Sequence, residues 1–335
     1  MAQAVPMNVL AAANAIDKSV QKYFLKESTP ELQLKKYFNF RTTTDYYEKD
    51  AGISGLSEAS FTAENANIKK DVPVETYKKE YTQEQIDIEA PFTYLNWKFA
   101  IKKRDVTNIT KQIENSLNRK KEKLAAERLI NGFSSTYTHQ DLLSGNKTIT
   151  ITGGDSLEAF TTAHTREDGG ANMNNVVYDG TTYSLPFDYA GYKAAIRTAS
   201  LFVDPRGNPY PANLDTLVCK KGSSVSFKAK EILKAIKDGK IPESNDNDGA
   251  GVPPFTIIEL DYLTSDAYWF MFDSKRGMTD SEGFQFIESE ANNVDPVHIN
   301  PYTRALSWFG HALCALGHND VARSWVASAG DSATT

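Results

Sequence analysis

The chain has 335 residues, of which 40% are hydrophobic and 24% charged, the composition of an ordinary globular protein of roughly two compact units. The formal net charge of −6 argues against a dedicated nucleic-acid binder, because such proteins carry a basic surface for the phosphate backbone. Two cysteines, Cys219 and Cys314, make no disulfide framework, which indicates a reducing, cytoplasmic setting.

The N-terminal segment has the composition of a flexible arm. No Lys or Arg precedes its first short apolar run, so we expect no secretory signal, and no apolar run is long enough to cross a bilayer. Small and polar residues dominate from about Lys49 to Asp71, and such a stretch cannot bury much apolar area. We therefore expect residues 1–70 to form an arm that becomes ordered on another chain.

Alternating apolar residues between positions 71 and 104 predict a projecting hairpin. One run ends at Ala90 and a second includes Trp97, and the two are joined around Pro91. Aromatic side chains of this kind anchor protein interfaces, although packing onto the subunit's own body is an open alternative. The candidate contacts to a neighbouring chain are Tyr77, Tyr81, Phe92, Tyr94 and Trp97.

A long helix is predicted over residues 106–131. Asp105 or Thr107 is a candidate N-cap, and Gly132 is a candidate left-handed terminator. One stripe of apolar residues follows the helical spacing, namely Val106, Ile109, Ile113, Leu117, Leu124 and Leu129. The other face carries Arg119, Lys120, Lys121 and Lys123. Solvation of this basic face is the expectation, and contact with nucleic acid or an acidic neighbour is the alternative.

The following residues predict a mixed sheet-and-helix unit after a loop-rich stretch over 134–186. Helical spacing recurs twice, and two near-continuous apolar runs have the pattern of strands buried on both faces. The predicted elements are a helix at Asp188–Phe202, a strand around Val218, a helix at Val225–Ile236, and strands at Phe255–Leu260 and Ala267–Phe272.

No sequence motif for catalysis or a cofactor is present. The segment Ser244–Gly249 is only faintly similar to a calcium loop, because Ser stands at its first ligand position and Phe255 at its twelfth. His164 has acidic and basic residues nearby but no identifiable nucleophile, so we interpret it as an ordinary loop histidine. We expect no catalytic residue, no metal and no cofactor.

The remaining constellation is His311, Cys314 and His318. On a helix, these spacings of three and seven would place three zinc ligands on one face. The flanking Gly310 and Gly317 suit a strand with a bend equally well. A packed cysteine with two partnered histidines is the interpretation that we favour, and a zinc-dependent enzyme is the remote alternative.

The order of these elements, together with particular segments, resembles the major capsid proteins of tailed phages, and the Mu-type major head proteins among them. Segments that carry the likeness are Ala159–His164, Leu201–Pro209, Leu214–Ile236, Tyr262–Trp269, Tyr302–Ala305 and Asp320–Trp325. None of them is a strict motif, and the likeness is loosest before residue 70.

The resemblance implies an α+β fold of the Hong Kong 97 type. Its parts are then an N-terminal arm (1–70), an E-loop hairpin (71–104), a P-domain with the spine helix (105–187), an A-domain (188–285), and returning P-domain strands with the C-terminus (286–335).

The same resemblance implies a structural, non-enzymatic protein. Copies would form hexamers and pentamers of an icosahedral shell around double-stranded DNA, bound without sequence specificity. Scaffolding, portal and decoration proteins would be partners, a membrane would not, and assembly in the host cytoplasm would yield a virion capsid. An encapsulin-like compartment that encloses cargo enzymes is the alternative within the same fold.

Overall fold

The computed structural model describes residues 32–53, 55–73, 75–95, 103–141, 143–238, 252–295 and 297–330. Its helices and strands confirm the predicted α+β class. The helices are α1 (Lys103–Ile130), α2 (Tyr189–Ser200) and α3 (Ser224–Lys237). The strands are β1 (Asn39–Thr42), β2 (Tyr47–Ile53), β3 (Glu75–Thr82), β4 (Glu84–Phe92), β5 (Thr136–Asp141), β6 (Gly145–Thr150), β7 (Thr216–Lys220), β8 (Thr256–Leu260), β9 (Trp269–Phe272), β10 (Phe284–Val294), β11 (His298–Ile299), β12 (Leu306–His318) and β13 (Trp325–Ser328).

A four-stranded sheet in the order β13-β9-β7-β8 holds the unit predicted from the apolar runs. Strands β7 and β8 are parallel, and α3 lies between them in the chain, as in a β-α-β connection. The two helices of this unit begin at side-chain caps: the Asp188 carboxylate accepts from Gly191 N (2.6 Å), and the Ser223 hydroxyl accepts from Ser226 N (3.2 Å). The predicted helix and strand positions are therefore confirmed here.

The long helix α1 packs on a second sheet, in which β1, β10, β12 and β4 are neighbours and β11 extends β12's pairing beyond the end of β10. Ile113 and Leu117 of the predicted stripe are buried against Trp308 of β12. A Cβ at Gly310 would lie 2.2 Å from Cγ2 of Ile113, so the glycine lets the helix approach the strand closely.

Both sheets share one aromatic core. Trp325 of β13 stacks on Phe272 of β9 with ring centroids 4.3 Å apart, and it meets Phe284 of β10 edge-on at 5.0 Å. Phe160, from the irregular segment after β6, lies 5.4 Å from Phe270 and 5.9 Å from Phe284. Because these rings come from both sheets, the two layers are packed as one body.

The predicted ends of α1 are wrong, although its span is nearly right. The helix begins at Lys103, so Asp105 and Thr107 lie within it and neither is the N-cap. Gly132 lies within a short 3-10 turn, Asn131–Phe133, and its backbone φ is not positive. A Cβ there would lie 2.7 Å from the Phe160 ring. A glycine is therefore needed at this position for close packing against Phe160, and not for a left-handed helix end.

The predicted hairpin around Pro91 is also wrong. Strand β4 continues through Pro91 to Phe92 and pairs with β12; among the described strands it lies at the edge of the sheet, where a residue without N–H is tolerated. The second predicted strand, at residues 96–102, lies outside the described residues. The long hairpin of the structure is formed instead by β2 and β3, in antiparallel register from Tyr47↔Thr82 to Ile53↔Glu75.

Two further boundaries of the predicted division need correction. The predicted arm, residues 1–70, contains β1 and β2, and β1 pairs in parallel with β10. At the other end, β13 returns to the four-stranded sheet beside β9 rather than to the sheet under α1. The segment Tyr302–Ala305 forms the turn before β12 and is not a strand.

Candidate assembly surface

The loop between β2 and β3 is the most exposed described segment of the chain. Residues 55–73 are all exposed and form no helix or strand, with a turn at the tip. At that turn Ala66 N donates to Ala63 O (3.0 Å), and Asn65 adopts a φ of 64°, a conformation that Asn tolerates. The hairpin therefore ends in a long open loop rather than in a tight two-residue turn.

Four large apolar side chains of this loop face solvent. Their exposed fractions are 58% for Leu56, 108% for Phe61, 81% for Ile68 and 69% for Val72. Apolar side chains concentrated on one exposed segment mark a surface that another molecule covers. We call these four residues the loop patch.

One arginine holds both legs of the loop to the body of the subunit. Arg206 Nη1 donates to the hydroxyl of Ser57 (2.5 Å) on the outgoing leg and to the carboxylate of Asp71 (2.8 Å) on the returning leg. Its Nη2 donates to Val72 O (2.6 Å). The Ser57 backbone amide, followed by Arg206, lowers the pKa of the Asp71 carboxyl to about 2. Arg206 is thus the clasp that fixes this loop.

The clasp is itself supported by a turn after α2. The Asp204 carboxylate accepts hydrogen bonds from the backbone amides of Arg206 (2.9 Å) and Asn208 (2.8 Å). Gly207 completes the turn with a φ of 86°, the left-handed region that favours glycine. Asp204 and Gly207 therefore hold the turn that positions the arginine.

The five predicted contact residues do not form one surface. Tyr81 is 3% exposed and packs against Ile287 and Ala315 inside its own subunit, and its ring fills the space beside Gly317. The half-buried Phe92 meets Trp308 edge-on at 5.6 Å. Tyr81 and Phe92 therefore pack onto the body of their own subunit, which was the alternative to a contact with a neighbouring chain.

The other three differ in their surroundings. Tyr77 is half-buried; its hydroxyl lies 3.1 Å from Thr165 Oγ1, and its carbonyl accepts from Asn319 (2.9 Å). Tyr94 is half-buried beneath the Arg304 guanidinium, 5.9 Å from its ring centroid. Trp97 lies outside the described residues. Contact of these side chains with a neighbouring chain stays a prediction.

The loop patch was missed because the sequence gives only a weak signal for it. Leu56, Phe61, Ile68 and Val72 are widely spaced among small and polar residues, with neither helical nor strand periodicity. The one available signal was that four large apolar residues occur in a segment otherwise too polar to form a core.

The basic face of α1 is largely used within the subunit. Lys121 is buried and its Nζ lies 2.5 Å from a carboxylate oxygen of Glu288 on β10. Lys120 contacts Asp141 and His139, both at 2.7 Å, and so ties the β5–β6 hairpin to the helix. Lys123 donates to Gln140 O (3.2 Å). Of these four predicted residues, Arg119 and Lys123 have exposed side chains, so the four do not form a continuous exposed basic face.

The zinc constellation is not assembled. All three residues lie on β12, where side chains alternate between the two faces, so His311 points away from Cys314 and His318. His311 Nε2 lies 2.9 Å from Glu290, and Cys314 is buried in the shared core. Burial lowers the pKa of His318 to about 3, which keeps this imidazole neutral. A packed cysteine with separately placed histidines is therefore what the structure shows.

The other candidates for chemistry have structural surroundings or are not described. His164 is buried, with Nδ1 2.8 Å from Asp155 and Nε2 3.2 Å from Asn175 Oδ1, and so ties two loop segments together. The segment Ser244–Gly249 lies outside the described residues. Over the described ranges, no group of three or more His, Cys, Asp or Glu side chains could hold a metal ion. The described helices include none that is long and apolar enough to span a membrane.

Comparison with known proteins places this fold among solved capsid structures. No protein-family model matches the sequence, and no curated protein is similar to it in sequence. Among solved structures, the capsid of the empty GTA particle matches with a TM-score of 0.52 and 12% identity over 96% of this chain and 98% of that chain. The capsid of the native GTA particle matches with a TM-score of 0.53 and 10% identity, over 90% and 91%.

A third similar structure, the capsid of Myoviridae phage XM1, has a TM-score of 0.46 and 13% identity, over 90% of this chain and 94% of that one. The GTA likeness extends over nearly the whole of both chains, and it confirms the predicted capsid fold. At identities this low, the likeness establishes the fold and does not by itself establish a function.

Proposed function

We propose that this chain is a major capsid protein, whose copies form the hexamers and pentamers of an icosahedral shell around double-stranded DNA. The observation that carries the proposal is the likeness to the GTA capsid over 96% of this chain and 98% of that one. The protein is then structural, and its activity is self-association.

The loop patch supplies the kind of surface that this activity needs. Shell subunits must contact several neighbours, so the binding free energy is distributed over projecting segments. Burying the side chains of Phe61 and Ile68 against a second copy would contribute about 1.5–3 kcal/mol each. The exposed hairpin loop is therefore the first candidate for contact between copies.

The proposal extends to the remaining partners. Scaffolding, portal and decoration proteins would act with the shell, which would assemble in the host cytoplasm and become the virion capsid. The net charge of −6 suits a wall that encloses DNA without sequence-specific binding.

Electron microscopy of the purified chain, expressed alone and with the neighbouring structural genes of its source, tests this function. We expect capsomers or closed shells in negative stain, and double-stranded DNA in shells from a complete assembly system. A chain that stays a 37.2 kDa monomer at every concentration and in every co-expression contradicts the proposal. Shells that contain a protein cargo and no nucleic acid would instead indicate the encapsulin-like alternative.

A further inference from the structure

A pocket lies where the root of the β2–β3 hairpin meets the spine helix and the β5–β6 hairpin. Its volume is about 190 Å³, enough for a small ion or several atoms of a ligand. Leu124, Ile149 and Leu316 are among the apolar residues that line it, and Lys79 and Arg128 bring two cationic side chains to it.

These two cations have no anionic partner of their own. In the part of the chain that the structure describes, neither side chain makes an ion pair or a hydrogen bond, and both are half-buried. Burial, followed by the charge of Arg128, lowers the pKa of Lys79, and burial also lowers the pKa of Arg128. The pocket therefore concentrates positive charge in a site of reduced solvation.

The nearby carboxylates are already paired elsewhere. Glu84 lies 2.9 Å from Lys147, and Glu80 lies 3.1 Å from Lys49. Asp155, which attracts the charge of Lys79, lies 2.8 Å from His164. None of the three is left to neutralise both cations.

A buried hydroxyl group adds a potential donor. Tyr81 lines the same pocket, and its hydroxyl has no hydrogen-bond partner among the described residues. The Tyr81 hydroxyl and the Arg128 guanidinium are close enough to interact electrostatically. Buried hydroxyl groups are normally hydrogen-bonded, so an unpartnered one beside two cations points to an acceptor that comes from outside the chain.

We propose that this pocket is a binding site for one small oxyanion, a phosphate or a carboxylate group, held by Lys79, Arg128 and the Tyr81 hydroxyl. The guanidinium presents several donors in a plane, which suits two oxygens of one anion, and the ammonium and the phenol can donate to the remaining oxygens. The anion is either free in solution or the side-chain carboxylate of a second copy of this chain.

Calorimetric titration of the purified, unassembled chain with inorganic phosphate tests the site, with sodium chloride added to hold ionic strength constant. We expect saturable binding at one site per chain. Arg128→Gln should weaken the affinity at least about tenfold, because it removes charge-assisted hydrogen bonds. The matched control is Arg119→Gln, the same change at an exposed position of the same helix, which should bind like the wild type.

Absence of saturable binding by the wild type, or equal affinity in Arg128→Gln, overturns the proposal. If circular dichroism shows that Arg128→Gln is unfolded, Lys79→Gln on β3 decides the matter, and an unchanged affinity there also overturns it. The same titration on shells separates the two sources: retained binding indicates a free anion, and binding lost on assembly indicates a carboxylate of a second copy. Because the unassembled chain is titrated, this test of the anion site gives its result whether or not the chain forms shells.

Discussion

At the scale of single residues, Asp50 lies in surroundings that oppose ionisation of its carboxyl group. It lies on β2 at the root of the hairpin, it is buried, and its Oδ2 has no hydrogen-bond partner among the described residues. Burial raises its pKa to about 6, helped by the charges of Asp280 and Glu48 and opposed by Arg41. Arg41 itself is shared, lying 3.1 Å from Glu48 and 3.5 Å from Asp280.

This setting predicts a pH dependence of stability. Between the unfolded pKa of 3.8 and the folded pKa of about 6, the folded chain binds a proton that the unfolded chain does not, so stability falls as the pH rises through this window. Asp50→Asn should flatten that slope and raise the free energy of unfolding at pH 7 by about 1–3 kcal/mol. Urea unfolding at several pH values from 4 to 7 measures both effects.

The control for Asp50 is Asp87→Asn, on the exposed side of β4, where the carboxylate accepts from Gln85 (2.9 Å). It should leave the pH profile close to that of the wild type. If the free energy of unfolding of Asp50→Asn depends on pH as that of the wild type does, the Asp50 carboxyl does not titrate between pH 3.8 and about 6.

Single residues also show a limit of sequence analysis. Lys121 belongs, by helical spacing, to the basic face of α1, yet it is buried against Glu288, 167 positions further along the chain. Periodicity predicts which face a residue occupies, but it carries no information about a partner on a distant strand. The same limit applies to Asp50 and to the cations of the oxyanion pocket.

At the scale of elements, the clasp formed by Arg206 predicts a testable restraint on the hairpin loop. Arg206→Gln removes the hydrogen bonds to Ser57, Asp71 and Val72 and leaves the strands β2 and β3 unchanged. Chymotrypsin should then cleave after the exposed Phe61 about tenfold faster, because the loop is free more of the time.

Two comparisons make this result specific. Arg119→Gln should be cleaved at the wild-type rate, since Arg119 lies on α1, away from the clasp. The melting temperature of Arg206→Gln should stay near that of the wild type. Equal cleavage rates for wild type and Arg206→Gln would mean that the arginine does not restrain the loop.

Elements with local signals were predicted well, and elements that depend on pairing were not. Helix α3 follows from the spacing of Val225, Ala229 and Ile232, which is set within the helix itself. Strands β2 and β3 each have one exposed and one half-buried face, but the half-buried face carries polar residues such as Asp50 and Lys79, so the sequence lacks the apolar alternation that marks a half-buried strand. The pairing of β2 with β3 and the pairing of β4 with β12 through Pro91 join residues that are distant in the sequence, so local patterns do not predict them.

At the scale of the whole molecule, the loop patch predicts a variant that folds normally but assembles only at a higher protein concentration. Phe61→Ser with Ile68→Ser should raise the protein concentration needed for assembly by about a hundredfold, from the apolar burial lost at both positions. Because both side chains face solvent in the single subunit, the melting temperature should not change.

The matched control is Leu143→Ser, an exposed apolar residue in the turn between β5 and β6. Light scattering against protein concentration gives the assembly threshold for all three proteins. A double variant that assembles at the wild-type threshold would rule out the loop patch as a contact between copies.

The shared aromatic core has a mechanical consequence. Phe272, Phe284 and Trp325 join both sheets with ring contacts of 4.3 to 5.0 Å, and densely packed interiors are barely compressible. Load placed on one sheet is therefore transmitted to the other, with little relative sliding of the two layers. If copies of the chain form the proposed shell, we expect deformation of that shell to bend the hairpin and its loop, while the body of the subunit moves as a stiff plate.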